Sequence, residues 1–466
     1  MTMQAEAVRK CVAELVEYAV IHLGLEEDDR IYAANAVNTL VGIDGLDESK
    51  TDRARLAELD IPDTLVEPLV AYAVERGTIE RCEMELFSTA VMGAVTPKPS
   101  EVNRKFFELY GKSGADSALS YFYNFCIKND YIKKSRVAKN KVWSTDKGYG
   151  LVCAINLSKP EKSNEEIRRL QSLPQVDFPK CMLCKENVNY KGRLNYPARQ
   201  TLRYIPLNLC GEEWYFQYSP YVYFNEHCIV FSDKHSSMTM TERTFVRLKD
   251  FLDYFPKYFI GSNACLPIVG GSILNHEHFQ GGRADMPLFS TRPTAEYSTK
   301  RFQEVRFFVQ AWYNTCIRLV SRDGAALCRA ATELFDFWQS YTDETVGVIA
   351  KTNEQHNAVT PIMRKVDGEY VFYMILRNNR TDEQYPDGIF HAHPEFHKVK
   401  KEGIGIIECV GTFILPPRLI EDYPSNAGEI EQACVGILNN TAVFKSDAQG
   451  QAALNKFLVS FGLKKL

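Results

Sequence analysis

The stretch GGSILNHEHFQGG, Gly270 to Gly282, decides the reading of this chain. Of only nine histidines, two stand here one residue apart, and a glutamine follows at the same interval: His276, His278, Gln280. If the segment is extended, alternating side chains put all three on one face. A neutral imidazole is both a nucleophile and a metal ligand at physiological pH. An amide hydrogen-bonds a phosphoryl oxygen without adding charge. The flanking glycines let backbone approach a ligand closely. The pattern suits attack on a phosphate. The plain alternative is two core or surface histidines that happen to alternate, and the glutamine and glycines weigh against it.

Composition sets the frame. A chain of 466 residues is too long for one typical domain. Hydrophobic residues make up 45% and charged residues 24%, as in an ordinary soluble globular protein. A net charge of -4 points to neither nucleic acid nor a membrane surface, so an anionic substrate needs a local basic pocket. Thirteen scattered cysteines do not make a disulfide framework. The first twenty residues lack the apolar core of a signal peptide, and no apolar run is long enough to span a bilayer. A reducing, cytoplasmic setting is expected.

Along the chain, residues 1–165 read as mostly helical, with Val12, Leu15, Val16, Ala19, Val20 and Leu23 forming an amphipathic stripe. The polar stretch Ser158 to Glu166 marks a boundary. From Tyr204 to Phe231 aromatic and β-branched residues predict strands with turns. Thr239 and Glu242 fit a capping box ahead of a helix carrying Phe245, Leu248, Phe251, Leu252 and Phe255. A long helix is expected over about Glu304 to Tyr341, and a strand over Glu369 to Leu376. IPLNLCGEEWYFQYSP (Ile205 to Pro220) echoes TPIMRKVDGEYVFYMIL (Thr360 to Leu376), and a His-x-His follows each, which hints at two related α+β halves.

Three other motifs bear on the chemistry. Gly111-Lys112-Ser113 fails as a phosphate loop because Phe106 stands where that loop needs glycine. Asp44 to Glu48 lacks the spacing of a calcium loop. Cys181-Met-Leu-Cys184 has the spacing of a zinc clamp, with a redox pair or chance as alternatives. His227, His235, His276 and Cys228 are the downstream candidates to complete it.

GGSILNHEHFQGG resembles the active-site segment of the histidine-triad superfamily, in its galactose-1-phosphate uridylyltransferase branch, where glutamine replaces the third histidine. The surrounding chain resembles the second, bacterial type. Supporting stretches are NDYIKKSRVAKNKVW (Asn129 to Trp143), YPARQTLRYIPL (Tyr196 to Leu207), QYSPYVYFNEHCIVF (Gln217 to Phe231), HNAVTPI (His356 to Ile362), LRNNRT (Leu376 to Thr381) and HKVKKEGIGIIE (His397 to Glu408). The resemblance covers most of the chain. It implies an α+β fold of two histidine-triad-like antiparallel-sheet halves, residues 166–345 and 346–466, behind a mostly helical region 1–165.

The resemblance also implies roles. His278 attacks the α-phosphorus of UDP-glucose, glucose 1-phosphate leaves, and galactose 1-phosphate takes UMP from the uridylyl-histidine, giving UDP-galactose. Gln280 holds the phosphoryl oxygens. Arg199, Arg203, Ser272, Lys400 and Lys401 are the substrate-binding candidates. Cys181, Cys184, His235 and His276 match a structural zinc site. A homodimer is implied. The other readings are a different histidine-triad nucleotidyltransferase, such as a dinucleoside-polyphosphate phosphorylase, or a catalytically silent zinc-stabilised binding protein. Glu277 departs from the better-known branch, which has proline there. His391 and His393 match only part of that branch's second metal site, so a second metal is doubted.

Overall fold

The computed structural model describes residues 5–47, 49, 51–145, 148–158, 176–271 and 273–466. Most of the boundary at Ser158 to Glu166, and Ser272, lie outside them. The chain divides into two compact units. One comprises residues 1–139, 160–206 and 215–222, and the other residues 140–159, 207–214 and 223–466. Among the described residues no helix is long and apolar enough to cross a membrane.

Residues 5–137 carry the expected helices, while residues 141–144 and 152–155, inside the stretch expected to be mostly helical, are strands. Seven of these helices are Ala5–Leu23, Arg30–Val41, Asp63–Glu75, Met84–Ala94, Pro99–Ser113, Ala115–Lys128 and the short Lys134–Val137. The expected stripe on the first helix is buried at Val12, Leu15, Val16, Ala19 and Leu23, with Val20 half-buried at its edge. Tyr18 ties that helix to the end of another by donating to the Lys128 carbonyl at 3.0 Å. The apolar face, rather than helix propensity, holds this bundle together.

The strands are β1 (Lys141–Ser144), β2 (Val152–Ile155), β3 (Ile205–Leu209), β4 (Glu212–Tyr218), β5 (Cys228–Ser232), β6 (Phe259–Gly261) and β7 (His278–Gly282). They continue as β8 (Pro293–Ser298), β9 (Arg306–Gln310), β10 (Cys316–Ser321), β11 (Asn357–Val366), β12 (Glu369–Asn378), β13 (Thr412–Leu415) and β14 (Lys464–Lys465). Strands β1, β2 and β13 form a small sheet. The rest form one eleven-stranded sheet in the order β14-β8-β9-β10-β12-β11-β6-β7-β5-β4-β3. The registers within it are antiparallel from β14 through β5. The fold class is α+β.

Both echoed segments are hairpins. Cys210-Gly211 and Asp367-Gly368 turn them, and all four residues have positive φ, between 50° and 79°. That is the type I′ geometry whose twist matches paired strands. Between β11 and β12 the register is unbroken from Val366↔Glu369 to Asn357↔Asn378.

On one face of the sheet lie the helices Glu242–Tyr254 and Gly324–Ser340. Phe245 meets both Phe335 and Phe372 edge-on, at 6.0 and 5.2 Å between ring centres. The other face carries a core of Phe259, Ile362, Val371, Tyr373, Ile375, Ile404, Ile406 and Cys409.

Two further segments differ from the expected pattern. The helix expected over Glu304 to Tyr341 is helical only from Gly324; residues 306–310 and 316–321 are strands β9 and β10. Both strands are covered on nearly every residue, so no polar alternation betrayed them. The helix after Met240 starts at Glu242, not at Thr239; Thr241 caps it, and its N–H donates to Thr244 Oγ1 at 3.1 Å.

Candidate active site and metal centre

Strand β7 is central, paired with β5 through Phe231↔His278 and Ile229↔Gln280 and with β6 through Gly261↔Gln280. Pairing on both sides leaves its backbone no freedom, so its side chains are aimed. Phe279 goes to one face and stacks flat on Trp214, 4.8 Å between centres and 6° between planes. His278 and Gln280 go to the other. The expected role of the glycines changes: a Cβ on Gly281 would sit 2.2 Å from the Phe259 carbonyl. This glycine admits a neighbouring strand rather than a ligand.

The strand starts only at His278, and His276 lies in the bend before it. The His276 carbonyl takes a hydrogen bond from His278 Nδ1 at 2.8 Å. A carbonyl can only accept, so the His278 proton sits on Nδ1 and the lone pair on Nε2. Burial pushes His278 down to about 4, so the ring is neutral at physiological pH. The ring therefore presents an oriented, neutral nitrogen lone pair.

Gln280 has a partner that sequence reasoning missed. His227, just before β5, donates from Nε2 to Gln280 Oε1 at 3.2 Å. It is 2% exposed, and burial lowers it to about 4. With Oε1 held, the Gln280 NH2 is left to donate. The alternation of Ile229, paired with Gln280, and His227 two residues earlier was the available signal. It becomes visible only once β5 and β7 are known to pair.

Cys181, Cys184, His235 and His276 form a group whose ligand atoms all lie within 4.8 Å of one another. His227 and Cys228, the other downstream candidates, are not in it; Cys228 pairs with Gly281 in the sheet. The two thiols are 3.5 Å apart, and the Leu183 N–H donates to Cys181 Sγ at 3.4 Å. Asn187 Nδ2 donates to both cysteine carbonyls, at 2.8 and 2.7 Å, and fixes the loop. Burial, and then the neighbouring thiol, push Cys184 up to about 12, so a cation is what would make it a thiolate. His276 Nε2 donates to the Ser232 carbonyl at 2.8 Å, which leaves Nδ1 as its ligand atom, and His235 packs 5.0 Å from its ring. Two sulfurs and two nitrogens are a donor set that fits zinc.

Glu277 is explained by what it touches. It lies 2.7 Å from Arg247 Nη1 on the helix Glu242–Tyr254, and Arg247 also grips Glu212 at 2.6 Å and covers the Trp214 ring. Burial raises the Glu277 carboxyl, and Arg247 only partly offsets this. The carboxylate between the two histidines braces the strand from behind.

The substrate-binding candidates differ in their surroundings. Arg203 is buried and donates to the carbonyls of Pro97, Thr96, Gln200 and Leu202, so backbone consumes its hydrogen-bonding capacity. Lys400 is buried against Glu408 at 3.0 Å and donates to the Ile414 carbonyl. Arg199 is half-buried, 6.0 Å from the Tyr131 ring centre, and Lys401 is exposed. His393 and His397 donate to the Ile389 and Ala392 carbonyls. Among the described residues, neither these two nor His391 belongs to a metal-ligand group.

Comparison with known proteins identifies the class. Residues 24–237 match the family model of the galactose-1-phosphate uridyl transferase N-terminal domain, and residues 250–435 match that of its C-terminal domain. The galactose-1-phosphate uridylyltransferase of Caldanaerobacter subterraneus subsp. tengcongensis is 40% identical, over 98% of each chain. That of Clostridium acetobutylicum is 43% identical over 93% of this chain and 87% of its own. That of Bacillus subtilis is 37% identical over 97% of each. Yeast Ap4A phosphorylase Apa2, a solved structure, aligns at 9% identity and a TM-score of 0.35 over 73% of this chain and 93% of that one, too weak a likeness to bear on function. The protein is a nucleotidyltransferase. It belongs to the galactose-1-phosphate uridylyltransferase family.

Proposed function

We propose that the chain transfers UMP from UDP-glucose to galactose 1-phosphate through a uridylyl group carried on His278 Nε2. The observation that carries this reading is the 2.8 Å bond from His278 Nδ1 to the His276 carbonyl, which turns a neutral lone pair outward. Nε2 attacks the α-phosphorus, and the bond to the glucose 1-phosphate oxygen breaks. That leaving group departs as an anion and needs no proton. The imidazole becomes cationic, with Nδ1–H still held by the carbonyl. Galactose 1-phosphate then attacks, the N–P bond breaks, and the neutral ring returns. Splitting one displacement in two lets a single site handle two similar sugar phosphates in turn. Gln280, with Oε1 held by His227, donates its NH2 to a phosphoryl oxygen.

Arg199, Lys401 and Ser272 remain the candidates for substrate contact, while Arg203 and Lys400 act by holding the protein around them. Zinc at Cys181, Cys184, His235 and His276 is structural and fixes the approach to the nucleophile's strand. The matching I′ hairpins support reading residues 166–345 and 346–466 as two halves of one kind, behind the helical residues 1–165. A cytoplasmic homodimer completes the reading.

The test is an intact-mass spectrum after mixing with UDP-glucose alone. The expected outcome is a gain of one uridylyl group, absent in His278→Ala and discharged by galactose 1-phosphate. An adduct retained in His278→Ala would overturn the assignment.

A further inference from the structure

Arg377 is fully buried at the end of β12, and most of its guanidinium is unspent. Nη1 donates to the Ile404 carbonyl at 2.9 Å, to Cys409 Sγ at 3.0 Å and to Thr360 Oγ1 at 3.4 Å. Nε and Nη2 have no acceptor among the described residues. These two atoms form the side-on edge of the guanidinium, the edge that grips an oxyanion with two parallel bonds.

Among the described residues no carboxylate is ion-paired with Arg377. Lys400 and Glu408, both buried, pair with each other at 3.0 Å. Burial holds the Cys409 thiol up, so it is a neutral SH and not a counter-ion. Glu408 is thus taken up by Lys400, and Asp387 acts from the His391 side of the group.

His391 adds a further donor. Its Nε2 accepts the Ile404 N–H at 3.3 Å, so that nitrogen carries no proton. Burial, and then Arg377, lower the ring to about 4, so it is neutral and its proton sits on Nδ1. Nδ1 also has no partner. Every unspent polar atom of Arg377 and His391 is a donor, and both residues bond to the same Ile404. A buried cation with this many unpaired donors is too costly to keep without a partner.

The location gives the anion its identity. Gln280 pairs with Gly261, Gly261 with Ile362, and Ile362 with Tyr373, so these residues share a sheet face. Two and four residues beyond Tyr373, Ile375 and Arg377 point the same way. Arg377 thus stands on the face that carries His278 and Gln280. Three strand spacings, roughly 14 Å, separate β12 from β7, and Nη1 reaches back across β11 at Thr360. We infer that Arg377 and His391 form a buried oxyanion subsite that receives the phosphate of the sugar 1-phosphate. This rests on the uridylyl-transfer reading. It also gives His391 a role that metal binding does not supply.

The test uses inorganic phosphate on the intact protein, with no nucleotide present and potassium chloride at matched ionic strength as control. Phosphate is expected to raise the wild-type melting temperature by several degrees, and galactose 1-phosphate, but not galactose, to displace it in calorimetry. Arg377→Met should lose the phosphate response. Should that variant not fold, Arg377→Lys keeps the charge without the fork and should weaken phosphate about tenfold. His391→Ala should weaken it several-fold. Equal phosphate stabilisation of wild type and either Arg377 variant, or none of wild type, overturns the subsite. Phosphate bound through Arg377 but not displaced by galactose 1-phosphate overturns the sugar assignment. The His278 adduct is scored separately: an adduct with no Arg377-dependent phosphate keeps the transferase and loses the subsite, and the reverse result loses the transferase.

Discussion

At the scale of single residues, chemistry follows from which atom carries a proton. The His276 carbonyl decides this for His278, the Ser232 carbonyl for His276, and the Ile404 N–H for His391. His227 does the same work for Gln280 by occupying its carbonyl. Replacing His227 with Phe removes that donor and frees the amide to turn. Single-turnover uridylylation is expected to fall about fivefold, the worth of one hydrogen bond, with circular dichroism unchanged. His227→Asn, which keeps an N–H, should recover part of the loss; an unaltered rate in His227→Phe would show Gln280 is held by something else.

Acid should reveal the buried rings. His227 and His391 fold with values near 4, against an ordinary 6.5. Between those limits the unfolded chain binds more protons than the folded one. Stability is therefore full above about pH 6.5 and declines as pH falls towards 4. Chemical denaturation at a series of pH values checks it; a midpoint constant from pH 7 to 4.5 would contradict it.

At the scale of elements, β7 is braced from its two sides and from behind. The alternation His-x-His-x-Gln made the strand legible, and Glu277, out of phase with them, reads in hindsight as the residue facing the bracing helix. Removing Arg247 leaves Glu277, at 9% side-chain exposure, without its ion-pair partner, while Glu212 can turn to solvent. Arg247→Met is expected to cost about 3 kcal/mol. A loss below about 1 kcal/mol in urea melts would mean that the pair is dispensable. The helix expected over Glu304 to Tyr341 shows the limit of pattern reading. In Arg306–Gln310 and Cys316–Ser321 both faces are covered, so period two has no polar member to mark it.

At the scale of the whole molecule, residues far apart in sequence come together in one group that could hold a metal ion. Cys181→Ser should lower thermal stability by several degrees and lose bound zinc by elemental analysis, while the single-turnover chemistry on His278 changes less. A variant with wild-type melting temperature and metal content would rule the site out. The sequence by itself determined the helical first region, the strand of His278 and Gln280, both hairpins and the Cys181/Cys184 pair. Local periodicity, turn chemistry and spacing are written in neighbouring residues. Only the tertiary structure decided which basic residues are free to act. Arg203 and Lys400 read as substrate ligands, yet burial commits them to carbonyls and to Glu408, while Arg377, given no role by the sequence, keeps its fork unspent. A charge looks the same in any sequence. What it can bind depends on the acceptors that folding brings beside it.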